Sequence, residues 1–599
     1  MKVMNEMKKF KKMNLEIIFL IIILGFAFFL RVYALGNPVF WIDEAISANV
    51  GKAILEKGVP VLDSGWNYSN AYFLHYTQAF FMLFGQNEFF ARFPSVIFGL
   101  LTIVLVYFIG KEYSKTGGII SALFMSVFYL EVFFSRQARY YQLFQLAFFA
   151  CLYLLYKSKG NQKYLYLSLI CFFIAWDTHV EALVLAPFLI LHILIYNKQK
   201  WLAVLPAIPL VQKFIPVLGL SAGSTEQAAN YMRDYFAFAY KMRYLLGFFI
   251  PGVIWGFVKN KRLTLLMILP SIVTLIGVFS LKVFGLRYSY FFVFPLVLYS
   301  SLLLSFLYEK YGKILLIAIV AVLIFPSNLF FPYSYVNVIK PVDNNLGDYS
   351  APFTDYKAVP ENLVLEMRNS TLISLYSADV EFYIKKPNFV IPFTMTGQGD
   401  DQISMNKSLG KVSKIEPLGK VPKIGIGMSE GEMVDRYSGA LILKEKPQEF
   451  YLTADLFSVS KLKPYQKEAF NKLTENCSVK HNSRDLKIYY CGEEGESVYR
   501  IIDGDTFELG SGERVRLICI DTPEIGQKEY AEAKEFLSGL ILGKRVRLEK
   551  DVSEKDAYGR LLRYVYVGDL FVNKELVEKG YASVFRYGND TARCDEIKG

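Results

Sequence analysis

Long apolar runs separated by short basic segments fill the first 335 residues, and then the pattern stops. Runs at 15–35, 93–110, 119–134, 142–156, 164–176, 182–196, 202–220, 242–258, 263–281, 288–308 and 314–333 predict about 11 membrane-spanning helices. The connections sort by charge. Lys111 and Lys115; Lys157, Lys159 and Lys163; Lys198 and Lys200; Lys259, Lys261 and Arg262; and Lys310 and Lys313 fall in short loops, as expected on the cytoplasmic side. Segments 36–92 and 221–241 are longer and mix both signs. Lys8, Lys9, Lys11 and Lys12 precede the first run, which reads as a retained signal anchor with its N-terminus inside. An odd number of spans then places everything after residue 335 outside the cytoplasm.

Beyond that point no further span is expected. Over 336–494, short runs such as Leu372–Leu375 and Glu381–Ile384 read as strands between Gly, Asn and Pro turns. They predict an extracytoplasmic α/β or α+β domain, and no catalytic constellation stands out in it. Gly492–Glu496 reads as a linker. From 495 to 599 the pattern changes to alternating strands, with helices expected over 529–541 and from Val572. Short strands with turn signals and two helices suit a small β-barrel. The chain is therefore multi-domain, divided at 1–335, 336–494 and 495–599.

Composition alters this picture little. Hydrophobic residues make up 53% of 599, as a polytopic membrane protein requires, and the net charge of +11 sits largely in the N-terminus and inner loops. That charge reads as topology rather than as affinity for nucleic acid. The six cysteines split by region, and Cys477 and Cys491 could pair if exported. No pair has the spacing of a zinc site.

Chemistry gathers at the outer ends of the predicted spans. Asp43 and Glu44 follow the first span, Arg92 precedes the second, and Arg136, Arg139, Tyr140 and Tyr141 follow the third. Asp177, His179 and Glu181 lie between the fifth and sixth, and Arg287 and Tyr288 precede the tenth. Arginines at headgroup depth suit a lipid-linked phosphate, and a carboxylate suits a base for an acceptor hydroxyl. Singly, each has an ordinary reading. Asp43 could be the N-cap of a helix starting near Glu44, Arg136 and Arg139 interfacial anchors, and His179 a satisfied polar residue. The ordered series Trp41-Ile42-Asp43-Glu44-Ala45, Ala91-Arg92-Phe93-Pro94-Ser95, Ser135-Arg136-Gln137-Ala138-Arg139-Tyr140-Tyr141 and Arg287-Tyr288 resembles the C-type membrane glycosyltransferases, near the protein-mannosyltransferase-like and aminoarabinose-transferase-like families. The resemblance implies sugar transfer from a polyprenyl-phosphate donor to a protein, lipid or polymer acceptor outside the cytoplasmic membrane. Asp43 would be the catalytic base and Glu44 its assistant. Arg139 and Arg287 would hold the donor phosphate, with Arg92, Arg136, Tyr140, His179 and Tyr288 also binding substrate, and a divalent metal is allowed there.

The C-terminal hundred residues carry a denser series. Asp503-Gly504-Asp505-Thr506 forms a turn between strands, and Val515-Arg516 leads to Asp521-Thr522-Pro523-Glu524. Asp505 and Asp521 offer hard oxygen ligands for Ca²⁺, Arg516 and Arg560 can neutralise charge on a phosphorane, and Glu524 can take a proton from water. The series is similar to the staphylococcal (thermonuclease) family over about 497–590. That resemblance implies an OB-fold-type β-barrel, Ca²⁺ held by Asp505, Asp521 and the Thr522 carbonyl, a catalytic trio of Arg516, Glu524 and Arg560, and single-stranded DNA or RNA as substrate. The family's paired tyrosines near this end have one near counterpart here, Tyr587. Altogether the chain reads as a multi-pass membrane glycosyltransferase fused to a Ca²⁺-dependent nuclease. The alternative is a membrane-anchored nuclease or nucleic-acid-binding protein whose membrane half does not transfer sugar; a transporter is disfavoured because no repeat or broken midplane helix is visible.

Overall fold

The computed structural model describes residues 2–159, 161–217, 243–280, 286–312, 354–375, 378–390 and, with short interruptions, 428–598. The chain divides into two compact units, 1–62 with 67–353 and 63–66 with 354–599.

The first unit is helical. Helix α1 (Lys2–Val32) is followed by α2 (Ile42–Lys57), α3 (Tyr72–Met82), α4 (Glu88–Lys111), α5 (Lys115–Val127), α6 (Tyr129–Phe134), α7 (Tyr141–Lys157) and α8 (Gln162–Thr178). Further helices span Leu185–Tyr196, Val204–Val217, Arg243–Ser280 and Val293–Tyr311. Among the described residues four stretches are long and apolar enough to cross a membrane: Leu15–Val32, Glu88–Lys111, Leu245–Val278 and Arg287–Tyr311. The other expected spans in this region are shorter helices, and 314–333 lies outside the described residues.

Two of the expected spans have a different form. The run 119–134 is not one helix, because Phe128 adopts an extended backbone (φ −68°, ψ 123°) between α5 and α6. The runs 242–258 and 263–281 join in Arg243–Ser280, with a non-helical bend at Asn260 (φ −150°, ψ 77°) beside Lys259, Lys261 and Arg262. The second arm's first turn is capped there, since Asn260 Oδ1 accepts from Leu263 N at 3.2 Å.

Packing in this unit relies on close backbone approach. A Cβ at Gly252 would stand 1.9 Å from the Tyr299 carbonyl oxygen on the neighbouring helix. Arg31, fully buried near the end of α1, donates to the carbonyls of Ser126 (2.9 Å) and Met125 (3.3 Å) at the frayed end of α5. Carbonyls freed by the break at Phe128 thus find a charged donor, as a buried backbone group must.

The second unit holds two sheets. One has the order β5-β2-β1-β6-β8-β7, from β1 (Leu372–Ser374), β2 (Phe389–Val390), β5 (Leu441–Ile442), β6 (Phe450–Asp455), β7 (Ser478–Asn482) and β8 (Leu486–Cys491). β5, β2, β1 and β6 run parallel, and β8 and β7 are antiparallel. A short hairpin, β3 (Met428–Ser429) with β4 (Glu432–Met433), stands apart. Glu381–Ile384, expected as a strand, is instead mostly within a helix, Ala378–Tyr383. So short a mix of apolar and polar residues fits either period, and Asp379 and Glu381 in the first turn favour the helix N-terminus.

The other sheet is the expected barrel. β9 (Glu496–Ile501), β10 (Thr506–Leu509), β11 (Arg514–Leu517), β13 (Arg545–Lys555) and β14 (Leu561–Val567) follow the order β11-β10-β9-β13-β14, with β15 (Leu570–Phe571) at the edge. Parallel pairing of β11 with β14 closes it. β12 (Ile520–Asp521) pairs with β16 (Ser583–Val584) outside the ring. Val498, Phe507, Val515 and Val565 fill the interior against Leu537 and Ile541 of the helix Tyr530–Ile541 and Leu576 of Val572–Glu578.

Two disulfides close this unit, Cys477–Cys491 and Cys519–Cys594. The first was open from sequence and the second was not foreseen. Side chains also bridge residue 495. Arg545 stacks on the Tyr490 ring at 4.1 Å and pairs with Glu366 at 3.4 Å, and Asn362 Nδ2 donates to the Gly510 carbonyl at 3.0 Å.

Candidate active sites

In the helical unit the site starts at the first turn of α2. Trp41 precedes it in extended conformation, and the backbone N–H groups of Glu44 and Ala45 donate to the Trp41 carbonyl. Asp43 makes no capping bond, so the N-cap reading falls. Its carboxylate is turned outward to two guanidinium groups. Arg287 Nη1 reaches Asp43 Oδ2 at 3.2 Å and Arg139 Nη2 lies 3.8 Å from the same oxygen. Arg139 Nη1 also donates to the Asp43 carbonyl (3.1 Å) and to Ser47 Oγ (2.7 Å).

Aromatic rings hold these cations in place. Arg139 lies over Tyr140 at 4.8 Å and Tyr141 at 5.8 Å, and Arg287 over Tyr288 at 5.1 Å and Trp41 at 5.8 Å. The His179 ring packs near Tyr140, Phe144 and Tyr288. Asp43, Arg139, Tyr140, His179, Arg287 and Tyr288, drawn from four separate stretches, thus converge.

Three expected site residues have different partners. Glu44 is 1% exposed and takes a bidentate bond from Arg92, Nε to Oε1 at 2.9 Å and Nη2 to Oε2 at 2.8 Å, with a third from Ala138 N. Arg92 spends its remaining donors on the carbonyls of Leu35, Pro38 and Val39. Arg136 Nη1 caps the end of α1 through the carbonyls of Leu30, Arg31 and Tyr33. These groups tie α1, α2 and α4 together behind the site rather than face a ligand. A divalent metal does not fit here: Asp43 is the carboxylate left over, and two guanidinium groups already surround it. Asp177 is also structural, accepting from Tyr72 N and Phe73 N at the start of α3.

In the barrel the expected residues also meet. The turn at Asp503–Asp505 faces the end of β11 and the loop after β12. Asp505 is buried, and its Oδ2 accepts from Thr522 N (3.1 Å), Thr522 Oγ1 (2.9 Å) and Arg516 Nη1 (2.9 Å). Burial pushes its carboxyl up to about 6, against the pull of Arg516. Arg516 Nη2 donates in turn to Asp521 Oδ1 at 3.0 Å. One guanidinium joining both carboxylates sets them within reach of a single cation. Two carboxylates and a carbonyl form an all-oxygen donor set suited to Ca²⁺ and leave positions for water and phosphate. The residues fit that ion.

Glu524 stands exposed on the loop before Tyr530, and its carboxylate has no hydrogen-bond partner among the described residues. Arg560 is oriented by Asp556, which accepts from its Nε at 2.7 Å and its backbone N–H at 2.9 Å, while Nη1 approaches Thr506 Oγ1 at 3.4 Å. Asp556 was not singled out from sequence, although an acid four residues before an arginine across the Gly559 turn was a usable signal. Phe585 was missed as well. It stacks with Tyr587 (6.4 Å, 15°) just after β16, beside the strand that carries Asp521, and both rings are exposed. A search for paired tyrosines passes over a phenylalanine that presents the same flat face.

Residues 71–218 match the family model described as dolichyl-phosphate-mannose-protein mannosyltransferase, and residues 514–598 match that of staphylococcal nuclease homologues. The chain joins a domain of the first kind to a domain of the second. The nuclease domain is 44% identical over 99 residues to a thermonuclease of Staphylococcus intermedius (15% of this chain, 59% of the relative). It is 38% identical over 99 residues to that of Staphylococcus hyicus (15% and 59%). A stretch of 140 residues is 29% identical to endonuclease YncB of Bacillus subtilis (22% and 64%). The chain thus spans 59% of the length of the curated thermonucleases it matches. The transferase match covers Arg92, Arg136, Arg139, Tyr140 and His179, with Asp43 and Arg287 on either side of it.

Proposed function

We propose that this protein transfers a sugar from a polyprenyl-phosphate donor to an acceptor outside the cytoplasmic membrane and hydrolyses nucleic acid at its C-terminal domain. The observation that carries the transferase reading is Asp43 held between Arg139 and Arg287. Both guanidinium groups are aimed at one anion position, and the carboxylate occupies it when no donor is bound. A donor phosphate competes for the same donors and frees Asp43 to act as base. The acceptor oxygen then attacks the anomeric carbon as its proton passes to Asp43. The sugar–phosphate bond breaks, and its electron pair stays on the lipid phosphate, where Arg139 and Arg287 balance the charge. Glu44, Arg92 and Arg136 act as positioning residues.

For the nuclease, Glu524 takes a proton from water as the water oxygen attacks phosphorus. Arg516 and Arg560 meet the charge that grows on the phosphoryl oxygens. Asp505, Asp521 and the Thr522 carbonyl would hold Ca²⁺, which when bound supplies positive charge to water and phosphate. Phe585 and Tyr587 offer a stacking face to a base of single-stranded DNA or RNA. Two disulfides in the unit that carries this site support an oxidising location, outside the cytoplasm.

The experiment is a double assay on the purified full chain. Polyprenyl-phosphate sugar turnover is followed in wild type and Asp43→Asn, and Ca²⁺-dependent cleavage of single-stranded DNA in wild type and Glu524→Gln. Each substitution is expected to abolish one activity and spare the other. Sugar transfer that survives in Asp43→Asn would sink the transferase assignment.

A further inference from the structure

One buried carboxylate at the transfer site has no task in the reading above. Glu181 sits in the short 3₁₀ turn Val180–Val184, and its side chain is 9% exposed. Oxygen Oε1 is fully buried and has no hydrogen-bond partner among the described residues. The adjacent His179 does not supply one. Its Nδ1 accepts from the Glu181 backbone N–H at 3.4 Å, so the ring carries its proton on Nε2, and Nδ1 stands 3.6 Å from Oε1 with nothing to donate.

The cavity these groups line explains what is missing. It holds about 220 Å³ of empty space and is bounded by Tyr140, Phe144, His179, Glu181, Arg287 and Tyr288. Arg287, which pairs with Asp43, forms one wall, so the cavity adjoins the proposed anion position. Its other walls are aromatic faces with a carboxylate acceptor and an imidazole N–H donor. Flat apolar rings with one acceptor and one donor between them match a sugar ring, with C–H bonds on its faces and hydroxyls on its rim. A buried polar atom left unpaired costs on the order of 1–3 kcal/mol. That cost is removed when a hydroxyl donates to it.

We propose that Glu181 and His179 form the sugar subsite of the transferase, Glu181 Oε1 accepting from one hydroxyl of the donor sugar and His179 Nε2–H donating to a neighbouring one. This inference rests on the transferase reading. The cavity is narrow, and a pyranose enters by turning aside Tyr140 or Tyr288, both half-buried at its wall. Glu181 thereby determines specificity. Sugars whose hydroxyl at this position is removed or inverted leave the carboxylate unpaired and are rejected.

The test compares binding of bare polyprenyl phosphate with polyprenyl phosphate carrying mannose, glucose or galactose, using the full chain in detergent. In wild type at least one glycosylated lipid is expected to bind tenfold or more tightly than the bare one. Glu181→Gln, similar in shape, removes that advantage and leaves bare-lipid affinity within twofold. His179→Phe keeps the ring and removes the donor, and serves equally should the first variant fold poorly. An undiminished sugar advantage in both variants, or no glycosylated lipid that outbinds the bare one in wild type, overturns the subsite while leaving the phosphate clamp standing. Loss of all lipid binding in wild type, with Arg287→Ala no different, removes the transferase reading and this inference with it.

Discussion

At the scale of single residues, the helical unit uses two adjacent acids in opposite ways. Asp43 faces out to Arg139 and Arg287, while Glu44, one position on, points into the protein and closes a bidentate pair with Arg92. Successive residues on a helix are turned about 100° apart, so neighbouring side chains rarely share a task. The two should therefore fail differently. Asp43→Asn is expected to lower sugar transfer by about 10²–10⁴-fold, the usual range for a lost general base, with thermal stability unchanged. Glu44→Gln leaves Arg92 buried against a neutral partner and should cost about 3–5 kcal/mol, as broken buried ion pairs do. A melting curve of each purified variant separates the cases. In the barrel, Asp556→Ala frees Arg560 from its seat and is expected to lower DNA cleavage while Ca²⁺ binding, followed by calorimetry, is kept.

At the scale of elements, close approach and cross-links decide what survives. The helices Arg243–Ser280 and Val293–Tyr311 meet so tightly at Gly252 that the smallest added side chain collides with backbone. Gly252→Ala should therefore separate the pair, seen as a lower detergent melting temperature. The Cys519–Cys594 bridge joins the residue two before Asp521 to the last short helix, Cys594–Ile597, across 75 residues of sequence. Its tail is further held by Asp590, which accepts from Val552 N and Ser553 N, and by Arg593 on Glu549. Cys519→Ser with Cys594→Ser is expected to destabilise the barrel by about 2–4 kcal/mol, the common range for such loops. Chemical denaturation of the soluble unit reads this directly.

At the scale of the molecule, pH acts on the soluble unit through a buried acidic pair. Burial pushes Asp379 up to about 7, and the nearby Asp455 adds to the effect. Asp455 is itself raised by burial. A carboxyl whose folded value exceeds its unfolded one stabilises the fold while it is protonated. That contribution is complete below about pH 4 and is lost as pH rises through 7, by up to about 1.4 kcal/mol per unit. Asp379→Asn should flatten the decline, measured by denaturant midpoints from pH 4 to 8. An epitope tag after Gly599 is also expected to be cut by protease in intact cells, which checks the placement of this unit outside.

Much of this molecule is legible in order alone. The break at residue 335, the barrel strands and the residues of both sites follow from local periodicity and from charges at fixed spacing. The helix Ala378–Tyr383 was misread because so short a run satisfies either period, and only its neighbours resolve the choice. The kink at Asn260 escaped for the related reason that a bend and a loop look alike when both carry Lys and Arg. Phe585 was passed over because residue type, not shape, was matched.

Sequence by itself determined which residues could do chemistry, since side-chain type and spacing are properties of the chain. It also determined where the apolar half ends, because burial demand is additive along a segment. Tertiary structure alone decided which of those residues face a ligand. Whether an arginine clamps a phosphate or caps a helix depends on the partners that meet its N–H donors, and these come from distant parts of the chain. Arg139 and Arg287 meet Asp43 near the surface, while Arg92 and Arg136 meet Glu44 and backbone carbonyls in the interior.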